Sequence, residues 1–210
     1  MTLPVRVDDQ PISETFFGEG RWLTEFITPN NLSVQALHAE ITDGITDMEE
    51  KMIAMRRWVA SNVRYVDFVS GKLWIEGKTS RQSDLWNLPS TTLKVGVGNC
   101  ANMSFLLTSL ARQELEPSQV YCVLGNLYNG KVGGHAWTEV NLYGQRYIME
   151  STILDIPDLV PVSTERYEAV HLFNDSEVYA YPDRTVMQPF SRKYSTWLRE
   201  YLNWDYIKGG

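Results

Sequence analysis

The sequence predicts an α+β domain. A long apolar helical pattern runs from Cys100 to Glu116, three strand-like segments follow it in immediate succession, and turn residues separate those strands at short intervals. Successive strands joined by tight turns pair antiparallel, and a helix with an apolar surface packs on the sheet they form.

Taken in order, residues 1 to 30 read as irregular or extended lead-in. A short helix is expected over Asn31 to Ile41. A stronger one follows, because Thr46-Asp47-Met48-Glu49 has the spacing of a capping box. Its Met52, Met55, Val59 and Val63 recur at steps of three and four, with Lys51, Arg56 and Arg57 between them. That apolar stripe is core packing rather than a ligand surface. From Tyr65 to Pro89 the chain reads mostly as loop, with a strand near Lys72 to Ile75. Gly96-Val97-Gly98-Asn99 then leads into the buried helix, where Met103, Leu106, Leu107, Leu110 and Ala111 keep helical period and Pro117 marks the exit. Val120 to Leu127, Gly134 to Tyr143 and Arg146 to Thr152 are the three strands, with Asn129-Gly130 and Gly144 as turns. Near the end, Phe190, Tyr194, Trp197, Tyr201 and Trp204 put five aromatics on one helical face that docks on the body of the domain.

A chain of 210 residues, 43% hydrophobic, holds one sizeable core. The expected organisation is a single domain over 1-210: an N-terminal extension and helix over 1-45, a core over 46-155 and a C-terminal extension with the aromatic helix over 156-210. No apolar run reaches the length of a membrane span, and Met1 to Gln10 has neither a basic n-region nor an apolar h-region. Cytoplasmic residence is the expectation, with no membrane partner. Twenty-six acidic against 19 basic side chains give a net charge of −7 without a basic block, which argues against a nucleic-acid partner. Two cysteines, Cys100 and Cys122, cannot make a disulfide framework. Three histidines without a metal-ligand spacing predict no metal site, and no other cofactor is expected.

The chemistry-bearing residues cluster around the buried helix. Cys100 starts it, behind two glycines, with Asn99 placed to cap it. At a helix N-terminus the dipole and the free N–H groups favour a thiolate, and the same N–H groups stabilise an oxyanion during acyl transfer. His135 opens a strand 35 residues downstream, on a sheet the helix packs against, where it is placed to take the thiol proton and later return it. Glu150 is the candidate for the third group, which holds the imidazole in orientation. A hairpin centred on residues 142 to 143, beside Gly144, brings His135 and Glu150 together. A two-residue turn of Gly144-Gln145 instead sets Glu150 opposite Glu139 and passes the orienting role to Thr152 or Asp155. Cys122 reads as a core strand residue, and His38 and His171 as ordinary structural or surface histidines.

These residues carry a family resemblance. Asp84-Leu85-Trp86-Asn87-Leu88-Pro89, Gly96-Val97-Gly98-Asn99-Cys100-Ala101-Asn102-Met103-Ser104, His135-Ala136-Trp137-Thr138-Glu139-Val140 and Tyr147-Ile148-Met149-Glu150-Ser151-Thr152 follow one another as motifs do in the transglutaminase-like superfamily, a branch of the papain-like cysteine enzymes. The helix ending at Asn62-Val63-Arg64-Tyr65 is similar to the one such domains place upstream. The resemblance implies a papain-like core with Cys100 as nucleophile, His135 as base and Glu150 as orienter. It also implies an oxyanion contribution near Trp86-Asn87, for which Asn87 has the N–H donors while Trp86 reads as a packing aromatic. The chain departs from the family pattern with Asn99, Ala101 and Asn102 around the cysteine, where acidic residues are usual, and with Glu150 where Asp is usual. No acidic loop of calcium-binding spacing is present, so calcium activation is not carried over.

Three functions follow as expectations. One is a cysteine peptidase or amidase that cleaves an amide bond of a protein or peptide through a thioester. Another is acyl transfer from the same thioester to an amine, as in a transglutaminase. The remaining one is a catalytically silent binding module on the same fold. The residues leave the natural substrate and the oligomeric state open.

Overall fold

The computed structural model describes residues 2–9, 21–65, 86–128, 132–152, 154–163 and 166–186. The expected strand near Lys72 to Ile75, the Asn129-Gly130 turn and the aromatic helix from Phe190 to Trp204 lie outside the described residues.

The first described segment is a short strand, β1 (Val5–Arg6), and a single helical turn over Leu23–Phe26 precedes the first helix, α1 (Leu32–Thr42). Asn31 caps α1 by accepting the Ser33 N–H on its side chain. The second helix, α2 (Met48–Asn62), begins one residue later than the capping-box reading placed it. Asp47 rather than Thr46 is the cap, and it accepts the Glu50 N–H at 2.9 Å. Ser, Thr and Asp all cap well, so the sequence signal fixes the neighbourhood and local geometry selects the residue.

After β2 (Arg64–Tyr65) and the undescribed stretch comes α3 (Pro89–Val95), which the loop reading did not anticipate. Pro89 occupies its first turn, and Gly96 ends it with φ 69° while its N–H returns to the Thr92 carbonyl at 2.9 Å. Proline at the start and glycine past the end are the two signals this helix shows in sequence. β3 (Val97–Gly98) then pairs parallel with β2, and the buried helix α4 (Cys100–Ala111) follows directly.

All twelve residues of α4 are buried, which is why its sequence is apolar or small on every face. A helical turn at Pro117–Gln119 leads into the hairpin partners β4 (Val120–Tyr128) and β5 (Val132–Leu142), and then β6 (Gln145–Met149). Three more strands complete the sheet: β7 (Val160–Pro161), β8 (Tyr167–Phe173) and β9 (Val178–Ala180). Among the described residues the sheet has seven strands in the order β1-β9-β8-β4-β5-β6-β7, and their pairings are antiparallel.

Helices cover one face of this sheet. Met52, Met55 and Val59 of α2 meet Leu106, Leu107 and Leu110 of α4 over Val140 and Met149. Around the start of α4, Cys100 and Phe105 pack with Phe26, Trp86, Leu124, Ala136 and Phe173. Val123, Trp137, Ile148, Val160 and Leu172 fill the opposite face. The α+β class read from the sequence is the architecture of the molecule. Among the described residues, no helix is long and apolar enough to cross a membrane.

Candidate active site

Cys100 is the first residue of α4, and Asn99 caps that helix by accepting the Asn102 N–H at 3.0 Å. The free N–H groups of the opening turn therefore gather beside the cysteine, as helix geometry requires. The thiol is nearly enclosed, with 4% of the residue exposed.

His135 and Glu150 reach this place from β5 and from the end of β6. The turn between those strands is Tyr143-Gly144, with φ of 54° and 84°, the left-handed pair of a tight two-residue hairpin. Leu142 consequently faces Gln145 and Thr138 faces Met149. This register is neither of the two considered from sequence: Ile148, not Glu150, lies opposite Glu139, and Glu150 falls beyond Met149 at the level of Trp137. His135 and Glu150 are thus diagonal neighbours on one face, a spacing that long side chains span. Their side chains close it with a 2.8 Å contact between His135 Nε2 and Glu150 Oε2.

The environment sets the charge of this pair. Both side chains are buried, which taken alone disfavours an ion on either one. Burial pushes the His135 imidazole down, but the Glu150 charge and hydrogen bonds with Cys100 and Glu150 outweigh it and hold the ring at about 10. Burial likewise raises the Glu150 carboxyl, and the His135 charge with bonds from His135 and Thr152 brings it below its ordinary value. The pairing favours an imidazolium beside a carboxylate in the interior, with Cys100 near enough to the ring to add to its raised value.

Further groups hold the carboxylate. Glu150 Oε1 accepts the Thr152 N–H at 3.0 Å and the Thr152 hydroxyl at 2.7 Å, while Oε2 also accepts the Tyr167 hydroxyl at 3.3 Å. The Glu150 carbonyl accepts Nε of Arg56 at 2.8 Å, and that guanidinium also binds the Leu154 carbonyl and Asp158. Arg56 lies between the apolar positions of α2, yet it is completely buried. It stands four residues after Met52, and that spacing was the signal that it shares the inward face. Tyr167 had no such signal, since it arrives from β8 across two intervening strands.

Trp86 and Asn87 lie beside the start of α4. Trp86 packs edge-on against Phe26 and Phe105, with centroids 5.6 and 5.2 Å apart, so its ring is part of the core. The Asn87 N–H donates to Asn102 Oδ1 at 2.7 Å, which ties this segment to the first turn of α4. Cys122 lies on β4 opposite Thr138, fully buried, and burial drives its thiol well above the ordinary range. His38 on α1 faces Glu114 at 2.9 Å, and His171 on β8 lies opposite Leu124, its imidazole lowered by burial. Among the described residues, no group of three or more His, Cys, Asp or Glu converges on a metal position.

Comparison with known proteins agrees with this fold. No curated protein sequence matches the chain. Among solved structures, Legionella pneumophila LapG superposes with a TM-score of 0.53 at 11% identity, over 86% of this chain and 93% of that one. Its calcium-bound form gives the same score and identity over 80% and 89%. A candidate cysteine protease from Cytophaga hutchinsonii is 18% identical with a TM-score of 0.44; the match covers 79% of this chain, which spans 55% of the length of that protein. At these identities the LapG likeness is one of fold. The family model for the transglutaminase-like superfamily matches residues 35–149, from α1 to the end of β6, and so includes both Cys100 and His135. The chain belongs to the transglutaminase-like superfamily.

Proposed function

We propose that this chain is a cysteine-dependent hydrolase that cleaves an amide or peptide bond of a protein or peptide, with Cys100 as nucleophile, His135 as general base and acid, and Glu150 as the group that orients and charges the imidazole. The carrying observation is the 2.8 Å contact between His135 and Glu150, on a ring whose raised value Cys100 also supports. With Nε2 turned to Glu150, Nδ1 is left for the thiol.

The chemistry balances within these groups. Cys100 reacts as the thiolate beside the already protonated His135, and its sulfur attacks the carbonyl carbon. The first N–H groups of α4 stabilise the developing oxyanion, with the side-chain amide of Asn87 as a further donor at the rim. When the tetrahedral centre collapses, the C–N bond breaks and His135 returns its proton to the leaving amine, which leaves a thioester on Cys100. Water, deprotonated by His135, then attacks the thioester; the C–S bond breaks, the acid departs and the thiolate is restored beside the protonated ring.

Alkylation of the full chain by iodoacetamide across pH, mapped by peptide to separate Cys100 from Cys122, tests this assignment. Cys100 labels selectively at neutral pH, and His135→Ala slows that labelling by roughly a hundredfold, at the low end of what a positioned base contributes. Slow labelling with the same pH profile in both proteins overturns the reading and leaves a binding module on this fold. The enclosure of Cys100 and His135, 4% and 5% exposed, favours a second acceptor. A thioester shielded from water lives long enough to meet an amine. Incorporation of a fluorescent primary amine at the expense of hydrolysis identifies that case.

A further inference from the structure

We propose that Thr152 and Tyr167 are positioning residues for Glu150, and that their two hydroxyls, closing on the two oxygens of one carboxylate, fit this site to glutamate rather than to the aspartate usual in the family. The proposal rests on the role given to Glu150 above.

A glutamate reaches one methylene further than an aspartate and has one more torsion, whose last rotation is broad and weakly restrained. Left free, its carboxylate would present a moving acceptor to the imidazole. In this chain Oε1 is held twice by Thr152, through the hydroxyl at 2.7 Å and the N–H at 3.0 Å. Oε2 is shared between His135 at 2.8 Å and the Tyr167 hydroxyl at 3.3 Å. At the other end of the residue, Arg56 holds the main-chain carbonyl at 2.8 Å. The main chain and the carboxylate of Glu150 are therefore both held, and the oxygen that faces the ring also accepts a bond from a group on another strand.

The position of Tyr167 is itself over-determined. Its ring meets Trp137 edge-on at 5.1 Å and 72°, and Trp137 in turn stacks with His135 at 6.1 Å and 25°. One aromatic stack thus registers the imidazole, the indole and the phenol against one another, while the phenol hydroxyl reaches the carboxylate. Aspartate at position 150 withdraws the carboxylate by about 1.5 Å, the length of one C–C bond. Contacts of 2.7 Å to Thr152 and 2.8 Å to His135 cannot both survive that withdrawal.

The test measures the iodoacetamide labelling rate of Cys100 in the full chain from pH 5 to 10, with thermal unfolding in parallel. The proteins are wild type, Glu150→Asp, Glu150→Gln, Thr152→Val, Thr152→Ser, Tyr167→Phe and His135→Ala. Thr152→Val lowers the rate at pH 7 about tenfold, the loss expected for a hydrogen bond to a charged group, and moves the profile to higher pH. Thr152→Ser restores both. Tyr167→Phe gives a smaller loss of about threefold in the same direction, since its bond is longer. Glu150→Asp falls to the level of Glu150→Gln. Wild-type profiles in Thr152→Val and Tyr167→Phe beside an altered His135→Ala overturn the inference, as does a Glu150→Asp protein that labels like wild type. Should Thr152→Val fail to fold, Tyr167→Phe and Glu150→Asp decide by the same criteria. A purely structural role lowers the melting temperature and leaves the pH profile in place. An unchanged profile in His135→Ala overturns the assignment of the triad itself, and this inference with it.

Discussion

Asn102 stands where acidic residues are usual in the family, and its surroundings account for an amide there. Its Oδ1 accepts the Asn87 N–H at 2.7 Å, and its own N–H donates to Asn99 at 3.0 Å, all in a wholly buried place. A carboxylate there would need a counter-charge, whereas an amide accepts the same bond without one. Asn102→Ala leaves the Asn87 N–H without its acceptor and costs about 1–3 kcal/mol, measured as a lower urea midpoint at unchanged m-value. An unchanged midpoint would mean that the Trp86-Asn87 segment holds itself against α4. Sequence reading found the nucleophile candidate and its cap because both are local features of one helix start. It named Glu150 as a candidate through hairpin arithmetic, but the turn is Tyr143-Gly144 and the contact with His135 is diagonal. It could not find Arg56 by composition, because a charged residue reads as exposed until its partners are known. Those partners, the Glu150 and Leu154 carbonyls and Asp158, lie about a hundred residues away in the chain.

At the scale of elements, the hairpin from β4 to β5 decides where His135 stands. Gly125 lies opposite His135, and the register of β4 against β8 shifts between Leu124 and Gly125. A Cβ on Gly125 would come within 2.2 Å of the Glu168 carbonyl oxygen and 2.5 Å of the Trp137 ring. The first obstacle is backbone, so it cannot swing aside as a flexible side chain does. Gly125→Ala must therefore spread β8 from β4 or displace Trp137, at a cost of about 1–3 kcal/mol or more. Because Trp137 stacks on His135, the same substitution slows Cys100 labelling as well as lowering the melting temperature. A stable variant with full labelling would show that the indole does not register the imidazole. The strands on which this rests were only partly legible. β4, β5 and β6 stand out through alternating Val, Tyr, Trp and Ile and short turns, whereas β1, β7 and β9 have two or three residues each, and β1 takes its pairing from β9 at the far end of the described chain. Two-residue strands carry no period, so topology rather than pattern defines them.

For the whole molecule, the family match and the α+β architecture were readable because four motifs keep their order along the chain. What the order of motifs does not contain is the charge state of the assembled interior. The His135 imidazole is raised from 6.5 to about 10 in the folded protein, and the Glu150 carboxyl is lowered from 4.5. A group whose folded value is raised stabilises the fold fully below its unfolded value, and that contribution fades as pH climbs through the folded value. For His135 the loss therefore runs from near pH 6.5 to about pH 10. A carboxylate with a lowered value behaves in the opposite sense, stabilising above pH 4.5 and losing its contribution as acid protonates it. The two windows leave a plateau of greatest stability between roughly pH 5 and 6.5, where Glu150 is charged in both states and His135 is protonated in both. Melting temperature measured from pH 5 to 10 should fall steadily on the alkaline side in the wild type. In His135→Gln, whose side chain does not titrate, the alkaline fall should be shallower even though the protein is less stable overall. If the wild type and His135→Gln lose stability in parallel above pH 6.5, the ring is not held protonated in the folded protein. The carboxylate would then be acting on a neutral imidazole, which would itself have to take the thiol proton in the first step.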